Sequence, residues 1–545
     1  MSGTDHHIAG LGQLAEIIAE FPDIWQGKAG YEGYLNDRVA ALSEILQDAG
    51  YFTTMSGKWH LGLTRDRFPA SRGFDESFAL LIGGANHFPN TLPVADSSSI
   101  FVHNFDVLDH TRFENFYSTD YFTTELIKSL ELNAETSQKP FFAYLPFTAP
   151  HWPLQAPSDL IIKYKGMYDG GPNALRDKRL ENEKKLSLVP SDVVSPPMST
   201  NAPQWEELTP AEQAFSAKTM EVYAAMVERI DFDVGRVVDY LKESGQFENT
   251  FILFMSDNGP DGIIIANLSI LSSPLLAPYF NNSYENIGNN NSLVAYGPRW
   301  AQASTAPGRM SKGHATEGGI RSPAIVHFPK LNNSLNISHE FTTVMDVLPT
   351  ILELVGIPHP GPVFRNRTVV KPKGVSWVSH LLNPAVHIHD PNDKQDFVGW
   401  ELFGQQAIRR GNYKAIFIPN QSNTAKWELY NLTADKGELV NLAGEHEDLL
   451  NELIDAWSTY MTETGVILAK DGWAVRYPYE LLEVPSAPTT PQTIASTSTT
   501  SETENVGVLT CTDRIFRDVS IPIRCVSLFI SQDILHKTYP LSNHH

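Results

Sequence analysis

Phe251 to Gly262 reads FILFMSDNGPDG, five apolar residues that give way at Ser256 to a polar turn punctuated by glycine. A short apolar run bounded in this way has the signature of a buried strand. Upstream, Met220, Tyr223, Met226, Val227, Ile230, Val234, Val237 and Leu241 recur at helical spacing and predict a long amphipathic helix ended near Gly245. Two further runs, FFAYLPF from Phe141 and PAIVHFP from Pro323, read as strands covered on both faces by helices. Nearer the start, Asn36 to Gly50 predicts a helix with Asn36 as N-cap, Val39, Leu42, Ile45 and Leu46 on one face, and Gly50 as a left-handed stop. The extended run YFTTMSG follows it. Helix and strand alternating in this manner predict an α/β fold, with a largely parallel sheet between helical layers. Ligands of such sheets gather at the carboxyl ends of the strands, where every one of these runs except PAIVHFP meets a polar cluster.

A second unit begins near Asp396, with β-like runs FVGWELF, QAIRRG, YKAIFIP and WELYNL and a closing helical segment HEDLLNELIDAWSTYM. This predicts a small antiparallel sheet with a helix across one face. The organisation is therefore a main domain over 1–395, a small α+β domain over 396–481, and a segment 482–545. That last segment opens on PSAPTTPQTIASTSTTSETEN, too poor in bulky apolar residues to be expected to fold.

The 545 residues are 42% apolar, as in ordinary globular proteins, and carry 41 basic against 63 acidic side chains. The resulting charge of −22 repels nucleic acid and anionic lipid, so neither is expected as a partner, and an anionic substrate needs a local basic pocket. Cys511 and Cys525 are the two cysteines, which excludes a disulfide framework in the main body. No signal-like leader or membrane-length apolar run is present. Triplets N-x-[ST] at Asn267, Asn281, Asn290, Asn332, Asn336, Asn366, Asn420 and Asn431 speak for a secretory ancestry, and the compartment is left open.

Four clusters carry chemistry. In SGKWHLG, Lys58 and His60 stand two apart at a strand end, where an extended backbone points both to one side and suits an oxyanion. In FTAPHWPLQAP, His151 is held between Pro150 and Pro153, and a histidine so fixed can serve as a general acid or simply pack on Trp152. In SDNGPDG, Asp257 and Asn258 offer hard oxygen ligands suited to calcium or magnesium, although SDNG is also an ordinary turn sequence. In SKGHATEGGIRSP, Lys312 and His314 precede a glycine pair, and a loop with solvated charges reads the same way.

Taken together and in this order, these motifs resemble the sulfatases, most closely the bacterial and fungal arylsulfatases of the alkaline phosphatase superfamily. GTDHHIAGLG, GKWHLG, TAPHWPLQAP, SDNGPDG, MDVLPTILELVGIPHPG and GWELFGQQAIRRGNYKA carry the resemblance over roughly residues 3 to 470. It implies a large mixed sheet between helices, then a small domain with a four-stranded antiparallel sheet and a terminal helix. It also implies hydrolysis of small-molecule sulfate esters with one calcium ion and a formylglycine nucleophile. In that family a formylglycine-generating enzyme makes the nucleophile from Cys or Ser in C/S-x-P-x-R. By the resemblance, Lys58 and Lys312 contact the sulfate group and His60 holds the formylglycine hydrate. His151 protonates the leaving oxygen, and Asp257 and Asn258 bind calcium.

GTDHH starts at Gly3, and in the family it follows the nucleophile motif and an Asp-Asp pair of calcium ligands. The resemblance therefore implies that those elements lie upstream of Met1 and that an N-terminally truncated chain is at hand, poor in activity and in calcium affinity. Ser520 opens SIPIR, which fits S-x-P-x-R formally but lacks the family continuation. Loss of the first strand is expected to leave unpaired edges at the centre of the sheet. A phosphate or phosphonate ester hydrolase of the same superfamily, or a non-catalytic sulfate binder, are the alternative readings.

Overall fold

A computed structural model describes residues 1–89, 100–109, 113, 115–265, 277–330, 337–419, 425–468 and 526–531. Cys511, Cys525, Ser520 and the triplets at Asn267, Asn332, Asn336 and Asn420 lie outside the described residues. The strands are β1 (Phe52–Lys58), β2 (Glu76–Leu80), β3 (Phe101–His103), β4 (Asp106–Leu108), β5 (Phe141–Pro146), β6 (Thr250–Met255) and β7 (Ala324–His327). After them come β8 (Val363–Phe364), β9 (Arg367–Thr368), β10 (Phe397–Leu402), β11 (Gln405–Arg410), β12 (Tyr413–Phe417), β13 (Glu428–Asn431) and β14 (Val526–Ser531).

The main sheet has eight strands in the order β4-β3-β2-β1-β5-β14-β6-β7. β1 pairs in parallel with β2 and β5, and β1, β2, β4, β5 and β6 share one direction against β3, β7 and β14. The period of two in the sequence explains the layering. Phe141, Ala143 and Leu145 of β5, with Ile252 and Phe254 of β6, face the helices Ser118–Thr136 and Pro210–Glu243. Phe142, Phe251 and Leu253 face the opposite layer, where Leu42, Ile45, Leu348 and Ile351 cover them. Continuous apolar runs are thus what strands buried on both faces require.

Three expectations are corrected. The helix near the start is Leu42–Asp48, with Ala41 at its N-cap. Buried Arg72 donates to the carbonyls of Leu35, Asn36 and Val39, which are therefore unavailable to a helical ladder. Gly50 does adopt φ 91°, as a left-handed stop should. PAIVHFP forms an edge strand, only partly buried and antiparallel to β6, rather than a strand covered on both faces. Finally, the segment expected not to fold supplies β14, which lies antiparallel between β5 and β6 and pairs with both. The edges expected to stand open at the centre of the sheet are closed by this strand.

β10 to β13 form a four-stranded antiparallel meander, with the helix Glu447–Thr464 packed on it through Leu453, Trp457 and Tyr460. Two buried charge clusters join it to the rest. Lys414 on β12 places its ammonium 2.9 Å from both Glu317 and Glu438, which anchors the loop holding Lys312. His7 bonds Asp5 at 3.0 Å and Glu401 of β10 at 3.1 Å, and the Tyr460 hydroxyl donates to Asp5 at 2.7 Å.

Candidate active site

Lys58, His60, His151, Asp257, Asn258 and Lys312 line one cavity of 2210 Å³. Four separate pieces of chain deliver them. Lys58 is the last residue of β1, His151 follows β5, and Asp257 and Asn258 follow β6. These three strands run in the same direction, so their following loops meet at one carboxyl edge, the usual place for a ligand in such sheets.

Backbone geometry at the first cluster departs from the expectation. β1 ends at Lys58, and His60 has φ 50°, so an extended backbone is not what brings the two together. The His60 amide is instead held by the Leu81 carbonyl at 3.1 Å, and its Nε2 lies 3.0 Å from Glu16. A Cβ on Gly83 would come within 2.7 Å of the His60 ring, so that position admits only glycine without displacement.

His151 sits in a loop fixed from several sides. Its amide donates to the Thr148 carbonyl at 3.0 Å, and its ring stands 5.0 Å from that of Trp152. Nδ1–H donates to the Trp152 carbonyl at 2.6 Å, which leaves Nε2 as the ring atom able to serve a ligand. Behind it, buried His87 donates from Nε2 to the His151 carbonyl at 2.9 Å and accepts at Nδ1 from the Ser118 hydroxyl at 2.8 Å. Burial pushes the His87 pKa down to about 4, so it stays neutral in this role.

Asp261 is the residue that the sequence reading quoted but did not assign. Its buried carboxylate lies 3.1 Å from the Lys312 ammonium, accepts from the Trp152 indole at 3.3 Å, and stands 4.0 Å from His151 Nε2. One side chain therefore links the second and fourth motifs through the third. Its signal was its place in SDNGPDG, four residues beyond Asp257 and within the same turn. The turn is tight because Gly259 meets the Gly318 segment: a Cβ at Gly259 would lie 2.0 Å from the Gly318 carbonyl oxygen. His314 is also fixed, donating from Nδ1 to the Ser311 carbonyl at 3.0 Å, and burial pushes its pKa down to about 4.

Two groups could concern a metal. Asn258 spends its Nδ2 on the Gly259 carbonyl at 2.8 Å, leaving Oδ1 as an acceptor beside the exposed Asp257 carboxylate. Hard oxygens of this kind fit calcium, which takes six to eight ligands, so this pair fits it in kind and supplies part of the shell. Asp5, His6 and His7 are also close enough together to share an ion. There both His7 nitrogens are engaged by carboxylates, and although burial opposes it, those bonds raise the His7 pKa to about 9. These bonds make the cluster an ion-paired anchor between the chain start and β10.

The sequence profile of the family described as Sulfatase matches residues 3–357. The chain is 56% identical over 478 residues to an uncharacterized sulfatase of Schizosaccharomyces pombe, covering 86% of this chain and 85% of that one. To the arylsulfatase of Klebsiella aerogenes it is 34% identical over 380 residues, 69% of this chain and 79% of the relative. The fold resembles the solved structure of Ps i-CgsB in complex with k-i-k-neocarrahexaose, with a TM-score of 0.58, 22% identity, and coverage of 87% and 84% of the two chains. With the family profile spanning most of the chain, the chain belongs to the sulfatase family.

Proposed function

We propose that this cavity binds a sulfate monoester of the aryl type for hydrolysis, with Lys58 and Lys312 contacting the sulfate group. The observation that carries this reading is the convergence of four motifs, distant in sequence, on one cavity. Two ammonium groups facing one tetrahedral anion stabilise the negative charge that its oxygens gain as the sulfur–oxygen bond breaks. His151 protonates the departing oxygen from Nε2, because Nδ1–H is committed to the Trp152 carbonyl. Asp261 positions both the acid and the Lys312 cation through one carboxylate oxygen.

Asp257 and Asn258 would hold a calcium ion, which when bound neutralises charge on the sulfate group. The family's formylglycine nucleophile, matured by a formylglycine-generating enzyme, would be held by His60; among the described residues none fits its C/S-x-P-x-R motif. A chain without that nucleophile is expected to bind the ester and to turn it over slowly, by analogy with nucleophile deletions about 10⁴ to 10⁶ below a complete enzyme.

The test is calorimetric titration of 4-nitrophenyl sulfate and 4-nitrophenyl phosphate, with and without calcium, followed by an assay for nitrophenol release. Saturable binding of the sulfate ester, competed by inorganic sulfate, is expected. Tighter binding of the phosphate ester would favour a phosphoryl substrate. Turnover of about 1 per second or more by this chain would overturn the assignment of the nucleophile.

A further inference from the structure

Along the same cavity, beyond Lys312, stand three cations that the reaction does not use. Arg321 follows the helical turn Glu317–Ile320, Arg409 lies on β11, and Lys436 lies in the loop after β13. The Arg409 guanidinium carbon sits 3.9 Å from the centre of the Phe341 ring, and its Nε donates to the Gly411 carbonyl at 3.0 Å, so the group is held in place.

What sets the three apart is their pairing. Nearby, Lys414 is matched by Glu317 and Glu438, Arg309 by Glu428, and Arg410 by Glu452. Arg321, Arg409 and Lys436 have no carboxylate within ion-pair distance among the described residues, in a chain with 63 acidic side chains against 41 basic. The acids that face them are engaged elsewhere or disfavoured as anions. Glu317 is held by Lys414, Glu340 lies 3.0 Å from His387, and burial pushes Glu183 up to about 7. Burial first, then the like charges of Arg321 and Arg409, hold the Lys436 ammonium below its usual range, and His339 is lowered by burial and then by Lys436 and Arg321. Cations left to repel one another on a cavity wall cost stability unless an anion joins them.

We propose that Arg321, Arg409 and Lys436 form an anion subsite that takes a second oxyanionic group, carboxylate or sulfate, carried on the alcohol part of the ester. This rests on the sulfate-ester reading of the main site. Lys312 and Arg321 flank the helical turn Glu317–Ile320 and line one cavity, so a substrate seated on Lys312 can present its leaving portion along the wall that bears the three cations.

The experiment uses the full chain and two kinds of probe. Benzene-1,3,5-tricarboxylate carries no sulfate ester, and the part of its binding that the subsite variant loses reports on the subsite. It should bind in calorimetry at low salt and weaken about tenfold in the Arg409→Gln/Lys436→Gln variant, a loss typical of charge-assisted contacts. Phenyl sulfate, 4-sulfooxybenzoate and 1,4-phenylene disulfate then test the link to the main site. The dianions should bind about tenfold tighter than phenyl sulfate, and the double variant should lose this preference while keeping its affinity for phenyl sulfate. A preference for one dianion alone identifies the group as carboxylate or sulfate. Should the double variant unfold, exposed Arg321→Gln gives the same comparison with the other two cations intact. The subsite is overturned if the tricarboxylate fails to bind, or if the preference for dianions is absent or survives the substitutions. Tricarboxylate binding that the variant loses, with no binding of phenyl sulfate, would keep the subsite and overturn the sulfate-ester reading.

Discussion

In the four-stranded sheet every spatial neighbour is a sequence neighbour, β10 to β13 lying side by side in chain order. In the eight-stranded sheet β5 and β6 meet only through β14, whose Leu528 stands opposite Tyr144 on one side and Leu253 on the other. The first sheet is specified by alternation and turns within one stretch of chain. The second depends on a pairing that no local pattern announces. Local pairings are read from sequence and close cheaply, whereas remote ones carry a loop-closure cost and leave open edges until they form.

This contrast can be broken or sharpened by experiment. The largest effect is expected from Leu528→Pro, since proline in a strand paired on both sides removes a ladder donor and is not tolerated there. Soluble expression should fall sharply, with the remainder aggregating. A soluble variant with an unchanged melting temperature would show that β14 does not hold the sheet together. Next comes Lys414→Met in the small sheet, which strands the Glu317 and Glu438 carboxylates without their shared cation. Thermal or denaturant unfolding should show a loss of about 3–5 kcal/mol. The loss should shrink as the pH falls, because burial, no longer opposed by the Lys414 charge, favours the protonated form of Glu317 in the variant.

The anchor between the chain start and the small sheet predicts a pH dependence. The His7 pKa is raised from 6.5 to about 9, so its stabilisation is fully present below pH 6.5 and is lost as the pH rises through 9. Asp5 is the reverse case. Burial alone would raise its pKa, but the charges of His6 and His7 and the bonds from His7 and Tyr460 hold it well below 3.8. Its contribution is therefore present above that pH and lost on acidification. The melting temperature should fall between pH 6.5 and 9, and His7→Gln should flatten that slope. An equal slope in the variant would mean that another group governs it. The smallest effect is expected at Glu16→Gln, where an exposed pair with His60 contributes under about 1 kcal/mol to stability by the usual range for such pairs.

Much of this was legible in the sequence because the relevant physics is local. The apolar runs Phe141–Pro146 and Thr250–Met255, the helix Pro210–Glu243 and the meander all follow from periodicity and turn residues. Lys58, His151, Asp257 and Lys312 stood out because polar groups follow apolar strands or flank glycines. What escaped depends on distant partners. The Asn36–Ala41 stretch is not helical because Arg72 claims its carbonyls, His60 leaves the extended conformation, and Val526–Ser531 finds its place only between two strands far away. Asp261 and His87 were missed for the same reason: each matters through what it touches, and their contacts with Lys312 and with the His151 carbonyl join separate parts of the chain.

The convergence of Lys58 and Lys312 on one bound sulfate group is tested most directly by the dissociation constant of 4-nitrophenyl sulfate, measured for the chain, for Lys58→Gln, for Lys312→Gln and for the pair. Each single substitution should weaken binding about tenfold, and the double substitution should differ from the sum of the two because both cations face the same anion. Unchanged affinity in Lys312→Gln, or strict additivity of the two losses, would contradict a shared sulfate site.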